Sequence, residues 1–257
     1  MGQNAGMATA SDPPPPREVV RYGPEIPDED ALRLLGTVAD KRVLVLGLHE
    51  PSASIALAQQ GAKVVVVDPD QERLDRGRAA CEEAEAKPEF RKADLAGLAF
   101  LPGDSFDLVL SIYTLAGVDD LNRVFRQVHR VLKADGALVL SLPHPAYAML
   151  DTTRPPRLPD DPVLVAHPYP GHAGRGETPA PAAASAFGGE AAVATGPPTT
   201  RTWTPSEVFT AMHRAKFRLD ALLEPPAGTA GPRGPQWNEL LRWAPPTLVL
   251  RGRKEGI

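Results

Sequence analysis

Gly47, Asp68, Asp94, Ser111 and His144 each stand at the end of a predicted strand in this 257-residue chain. That is where open parallel sheets meet their ligands. Gly47 opens the loop Gly47-Leu48-His49-Glu50-Pro51. A glycine there lets bare backbone approach a ligand and takes dihedrals that a side chain resists. Asp68 follows about 20 residues later, the spacing at which a carboxylate reaches the hydroxyls of a ribose. One carboxylate can accept both hydroxyls, and the same residue also suits the start of the next helix. His144 lies in the string SLPHPAY. An imidazole there suits a substrate contact or a general base, because it titrates near neutral pH. A turn histidine held before Pro145 fits the string equally.

These residues need elements to hold them. The run 43–46 is short and uniformly apolar, the pattern of a strand buried on both faces. A small helix over 52–60 follows and Gly61 stops it. The second strand is 63–67. A helix then runs from Asp70 to about Ala84, before short strands at 90–92 and 106–111. Leu121, Val124, Phe125, Val128 and Val131 repeat at helical spacing, giving a helix over 119–132. Asp135-Gly136 turns the chain into a fifth strand at 137–142. Before all of these, Asp28 and Gly36 bracket a short helix over 28–35. Alternating strands and helices imply an α/β fold with a parallel sheet covered on both faces. Right-handed crossovers fix its layering.

Composition bounds the rest. The length fits one α/β domain with an insertion better than two domains. Proline is abundant, at 29 residues, and clusters at Pro13 to Pro16, so residues 1–20 read as a disordered leader. Residues 148–199 are rich in Pro, Gly and Ala, and read as an insertion or lid, partly disordered. Short lid strands are expected at 163–167 and 199–203. Order resumes at Thr204-Pro205-Ser206-Glu207, a capping box with proline at the first helical position. That helix reaches about Ala215. Strands at 217–223 and 247–253 have no long helix between them, so they form an antiparallel pair at one edge. The α/β domain therefore comprises 21–147 and 200–257.

The net charge of −4 gives no electrostatic reason to expect nucleic acid. No stretch approaches the ~20 apolar residues that span a bilayer. The single cysteine, Cys81, excludes an internal disulfide framework, fits a cytoplasmic protein and reads as a helix-packing residue. His167 and His172 flank a Gly/Pro loop without a carboxylate or cysteine partner, so no metal is expected. His129 and His213 fall on helices and read as surface residues.

Longer strings carry a resemblance. VLVLGLHEPSASIALAQQGAKVVVVDPDQERLDRGR is similar to the first motifs of class I S-adenosylmethionine-dependent methyltransferases. So are LPGDSFDLVLSIYTLAGVDDLNRVFRQVHRVLKADGALVLSLPHP and RTWTPSEVFTAMHRAKFRLDALLEP, and YGPEIPDEDALRLLG looks like the leader of a bacterial subgroup. The resemblance covers most of 21–148 and 200–253. It implies a Rossmann-like seven-stranded methyltransferase sheet, mostly parallel with an antiparallel edge pair. It implies S-adenosylmethionine as cofactor and methyl transfer to a small molecule by a monomer or homodimer.

By the same resemblance, Gly47 and His49 would face the methionine part of the cofactor. Asp68 and Pro69 would hold the ribose, and Asp94 with the Leu95 backbone the adenine. Asp94 also suits a turn, the lesser of the two readings. Ser111 and Tyr113 would line the cleft, and Tyr22 would help cover it. The loop departs from the family: His49, Glu50 and Pro51 replace small residues, and Val45 stands where the first strand usually holds an acid. Two readings follow. The loop is reshaped and His49 or Glu50 meets the methionine group, or the chain is a catalytically inactive binding or regulatory protein on the same fold.

Overall fold

The computed structural model describes residues 18–156, 161–170, 201–228 and 233–255. Most of the expected leader and of the expected insertion lies outside the described residues. Seven strands form one sheet: β1 (Arg42–Leu46), β2 (Lys63–Asp68), β3 (Glu89–Lys92), β4 (Phe106–Ile112), β5 (Leu132–Pro143), β6 (Phe217–Leu223) and β7 (Thr247–Lys254). Their order is β3-β2-β1-β4-β5-β7-β6. The first five run parallel, and β7 pairs antiparallel with both β5 and β6. The strand order reverses between β1 and β4, which creates a crevice at their carboxyl ends.

The alternation of apolar residues along the strands feeds two cores. Leu44, Leu46, Val65, Val67, Val109, Leu138 and Leu140 face one side. They are covered there by α4 (Leu121–Val131) and α6 (Pro205–Arg214) through Val124, Phe125, Val128, Val208 and Met212. Val43, Val45, Val64, Val66, Leu108, Leu110 and Val139 face the other side. Helix α2 (Ser52–Gln59) covers them with Ala53, Ala56 and Leu57, and α3 (Gln71–Glu83) with Leu74. The leader segment completes that face with Val20, Tyr22, Ile26, Leu34 and Leu35. Burying such side chains contributes about 1.5–3 kcal/mol each before chain entropy is counted.

Local chemistry explains where the elements differ from expectation. Helix α1 is only Glu29–Leu32, shorter than the expected 28–35. Asp28 caps it as expected, but the Glu29 carboxylate takes the N–H groups of Leu34 (2.9 Å) and Leu35 (2.8 Å). Arg33 then turns left-handed at φ 52°, so the helix ends before Gly36. Strand β5 begins at Leu132 because Leu132 pairs with Phe106 through an irregular register, five residues before the expected start. A four-residue helix α5 (Pro145–Ala148) follows it. The capping box at Thr204 and Glu207 is complete. The expected lid strands do not form among the described residues. Val165 makes one isolated bridge with Leu150, and Arg201 to Trp203 are not a strand. Trp203 is held by its indole N–H donating to Leu115 O at 3.0 Å, which docks the chain onto the helical turn Thr114–Gly117.

Candidate functional site

A cavity of about 440 Å³ opens at the carboxyl ends of β1 and β4. This is within the usual ~300–1,000 Å³ of small-molecule sites. Val45, Gly47, His49, Glu50, Ser52 and Ala53 form one wall, from β1 into α2. Ile112 and Tyr113 at the end of β4 form another. The leader, from Gly23 to Asp28, and the loop at Gly228 and 234–236 close it over. Glu25 joins these last two segments. Its carboxylate accepts the N–H groups of Gly234 (2.8 Å) and Gln236 (3.1 Å), and its carbonyl accepts Gly228 N–H at 2.8 Å.

The loop after β1 is fixed at both ends. Gly47 has φ +83°, and its missing Cβ leaves the space that the Thr114 side chain fills. Thr114 Oγ1 donates to Leu46 O at 2.7 Å. Ser111 Oγ lies 2.8 Å from the same Oγ1 and must donate its proton to it, because that hydroxyl's own proton is used. Asp68 is 1% exposed. Its Oδ2 accepts Leu48 N–H at 2.7 Å. Its Oδ1 accepts Asp70 N–H at 2.8 Å and Arg73 Nε at 3.1 Å, and Arg73 Nη2 lies 3.0 Å from it as an ion pair. Asp70, not Asp68, caps α3.

His49 projects from this loop into the cavity wall and packs on Tyr113, with ring centroids 5.5 Å apart. Burial lowers its pKa below the ordinary value; Glu50 opposes the shift and Arg73 adds to it. A neutral imidazole is therefore the form held at neutral pH. Tyr113 is buried in a left-handed turn (φ 59°), and its hydroxyl bonds Thr247. Burial raises its pKa.

The other expected site residues are placed as follows. Tyr22 is fully buried in the core and donates to Glu29 Oε2 at 2.5 Å; its neighbours Arg21 and Gly23 line the cavity instead. Pro69 is exposed beside Asp68. Asp94 is exposed and accepts Ala96 N–H at 2.8 Å as a turn residue, and the Leu95 side chain joins the core. Asp68, Pro69, Asp94, Leu95 and Ser111 are outside the cavity lining. So is His144, which is 6% exposed and caps α5. Its Nδ1 accepts Ala146 N–H at 3.1 Å, which puts the proton on Nε2, 2.9 Å from Glu224 Oε1. Both ring nitrogens are thus engaged within the protein.

Cys81 is buried on α3, where desolvation pushes its thiol up to about 11, as a packing residue requires. His213 is exposed, whereas His129 is half-buried edge-on against Phe217. Arg21, Glu25, Arg73 and Gln236 were not singled out by the sequence. Arg73 had a usable signal: five residues after Asp68 and in the first turn of α3, its side chain leans back toward the helix N-terminus. Glu25 had none, since its partners lie about 210 residues away.

Among the described residues, no helix is long and apolar enough to cross a membrane. A family described as "Methyltransferase domain" matches residues 45–140. Demethylmenaquinone methyltransferase from Clavibacter sepedonicus is 34% identical over 108 residues, 42% of this chain and 43% of that protein. Ajmaline N-methyltransferase from Rauvolfia serpentina is 33% identical over 82 residues, 32% of this chain and 28% of that one. The chain thus spans less than half the length of the curated relatives it matches. An S-adenosylmethionine-dependent methyltransferase structure from Mesorhizobium loti superposes with a TM-score of 0.61. It covers 86% of this chain and 94% of its own at 24% identity, a likeness of fold. With β7 inserted antiparallel between β5 and β6, the chain has the fold of the S-adenosylmethionine-dependent methyltransferases it superposes on, and its residues 45–140 match the methyltransferase-domain family.

Proposed function

We propose that this protein is an S-adenosylmethionine-dependent methyltransferase acting on a small molecule. The cavity at the β1/β4 crossover carries the reading. It sits where the fold places ligands, and its wall is the Gly47 loop. The residues present fit the cofactor's parts. Arg21 offers a cation to an α-carboxylate, and Glu25, Asp28 and Glu50 offer carboxylates near an α-amine. Asp68 stands at the end of β2, where ribose hydroxyls are held in this fold.

The bound cofactor supplies a methyl group already made electrophilic by its sulfonium. The protein's task is then alignment and exclusion of water, worth up to about 7–11 kcal/mol when geometry is favourable. Gly47 gives close backbone approach, the strap tied by Glu25 covers the cavity, and Tyr113 is fixed through Thr247. His49 is a cavity residue able to accept a proton from a methyl acceptor, since burial lowers its pKa and favours the neutral imidazole. The acidic lining and net charge of −4 favour a small molecule over nucleic acid. Calorimetric titration with S-adenosylhomocysteine tests the reading. Saturable one-site binding is expected, and no heat at millimolar ligand contradicts it.

A further inference from the structure

The Asp68 carboxylate is already claimed. Arg73 donates to Oδ1 from Nε and holds Nη2 3.0 Å from it as an ion pair, and Asp70 N–H donates to the same atom. Oδ2 is held by Leu48 N–H. A carboxylate has about four acceptor positions. These four contacts leave little for a pair of ribose hydroxyls. Yet Arg73 is the one partner able to leave: it is 40% exposed, whereas the other two donors are backbone. A second seat lies beside it, since Asp70 Oδ2 is 3.7 Å from Arg73 Nε and is itself exposed.

We infer that Arg73 sets the affinity for the nucleoside end of the ligand by competing with the ribose for Asp68. In the free protein the guanidinium covers the acid. Ligand entry moves it toward Asp70 and solvent, and the ribose hydroxyls replace its contacts with the carboxylate. Apparent affinity is reduced by the fraction of molecules in which Arg73 covers the acid. The inference rests on the cofactor reading above. It adds a residue that opposes binding instead of making it.

Arg73→Met removes the competitor without adding a donor. The expected result is S-adenosylhomocysteine bound about five- to tenfold more tightly than by the unaltered protein. The ligand-free variant should also melt at a lower temperature, because the buried Asp68 carboxylate loses its cation. A merely structural arginine would lower both stability and affinity. Arg73→Gln, which keeps an N–H donor and no charge, should fall between. Binding that appears only in Arg73→Met also supports the inference. If the unaltered protein binds and Arg73→Met binds equally or more weakly, the competition is overturned and the cofactor reading stands. If neither binds at millimolar ligand, the cofactor reading fails and the competition fails with it.

Discussion

Leu48 N–H donates to Asp68 Oδ2 at 2.7 Å across 20 residues of chain. The loop after β1 is thereby fastened to the acid that ends β2. Replacing Asp68 by Ala leaves the buried Leu48 N–H without a partner and Arg73 without its counter-charge. The expected loss is about 2–4 kcal/mol in urea unfolding, together with loss of S-adenosylhomocysteine binding. Asp68→Asn, which can still accept from Leu48, should recover part of the stability. Equal destabilisation by the two variants would show that the Leu48 bond matters little.

Gly47→Ala should be costly for two separate reasons. At φ +83° an alanine is strained, and its Cβ would enter the space of the Thr114 side chain. A loss of about 2–4 kcal/mol is expected, more than backbone strain alone. A cost below about 1 kcal/mol would mean that Thr114 moves aside freely.

Folded-state stability should fall with acid in a window set by His49. Its folded pKa lies below the ordinary value, mainly through burial. The unfolded chain therefore binds a proton first, so stability is intact above about pH 6.5 and declines as pH drops toward the folded pKa. His129 is depressed in the same direction, by burial and by Lys254. Urea unfolding at pH 7.5, 6.5 and 5.5 should show a shallower decline in His49→Gln than in the unaltered protein. Parallel declines would remove His49 as a contributor.

Glu25→Ala should loosen the strap without unfolding the domain. Its carboxylate holds the N–H groups of Gly234 and Gln236, and it adopts a left-handed φ of 58°. Amide exchange at these two positions should accelerate at least about tenfold, with ligand binding weakened. Core amides of β1 and β4 should keep their protection. Unchanged exchange at Gly234 and Gln236 would show that the strap is held by other contacts.

The strands and their order of appearance were legible because their signals are local. Val43 to Leu46 is a buried run, Gly61 stops α2, and Thr204 with Glu207 writes a capping box. The antiparallel edge pair followed from the lack of a long helical pattern in the sequence between β6 and β7. Helix α1 was overextended because Glu29 satisfies N–H groups beyond it, a choice made by a side chain and Tyr22 together. The site was legible only in part. Gly47 and His49 line the cavity, whereas His144 spends both nitrogens on Ala146 and Glu224. The partner Glu224 lies 80 residues on, where no local pattern reports it. Glu25 and Thr247 entered the site the same way, through long-range contacts.

A crystal structure with S-adenosylhomocysteine bound tests the central claim most directly. The account places the homocysteine end in the cavity bounded by Gly23, Gly47, His49 and Tyr113, with the ribose hydroxyls on Asp68 and Arg73 displaced toward Asp70. Ligand density elsewhere on the molecule, or none at saturating ligand, would contradict it.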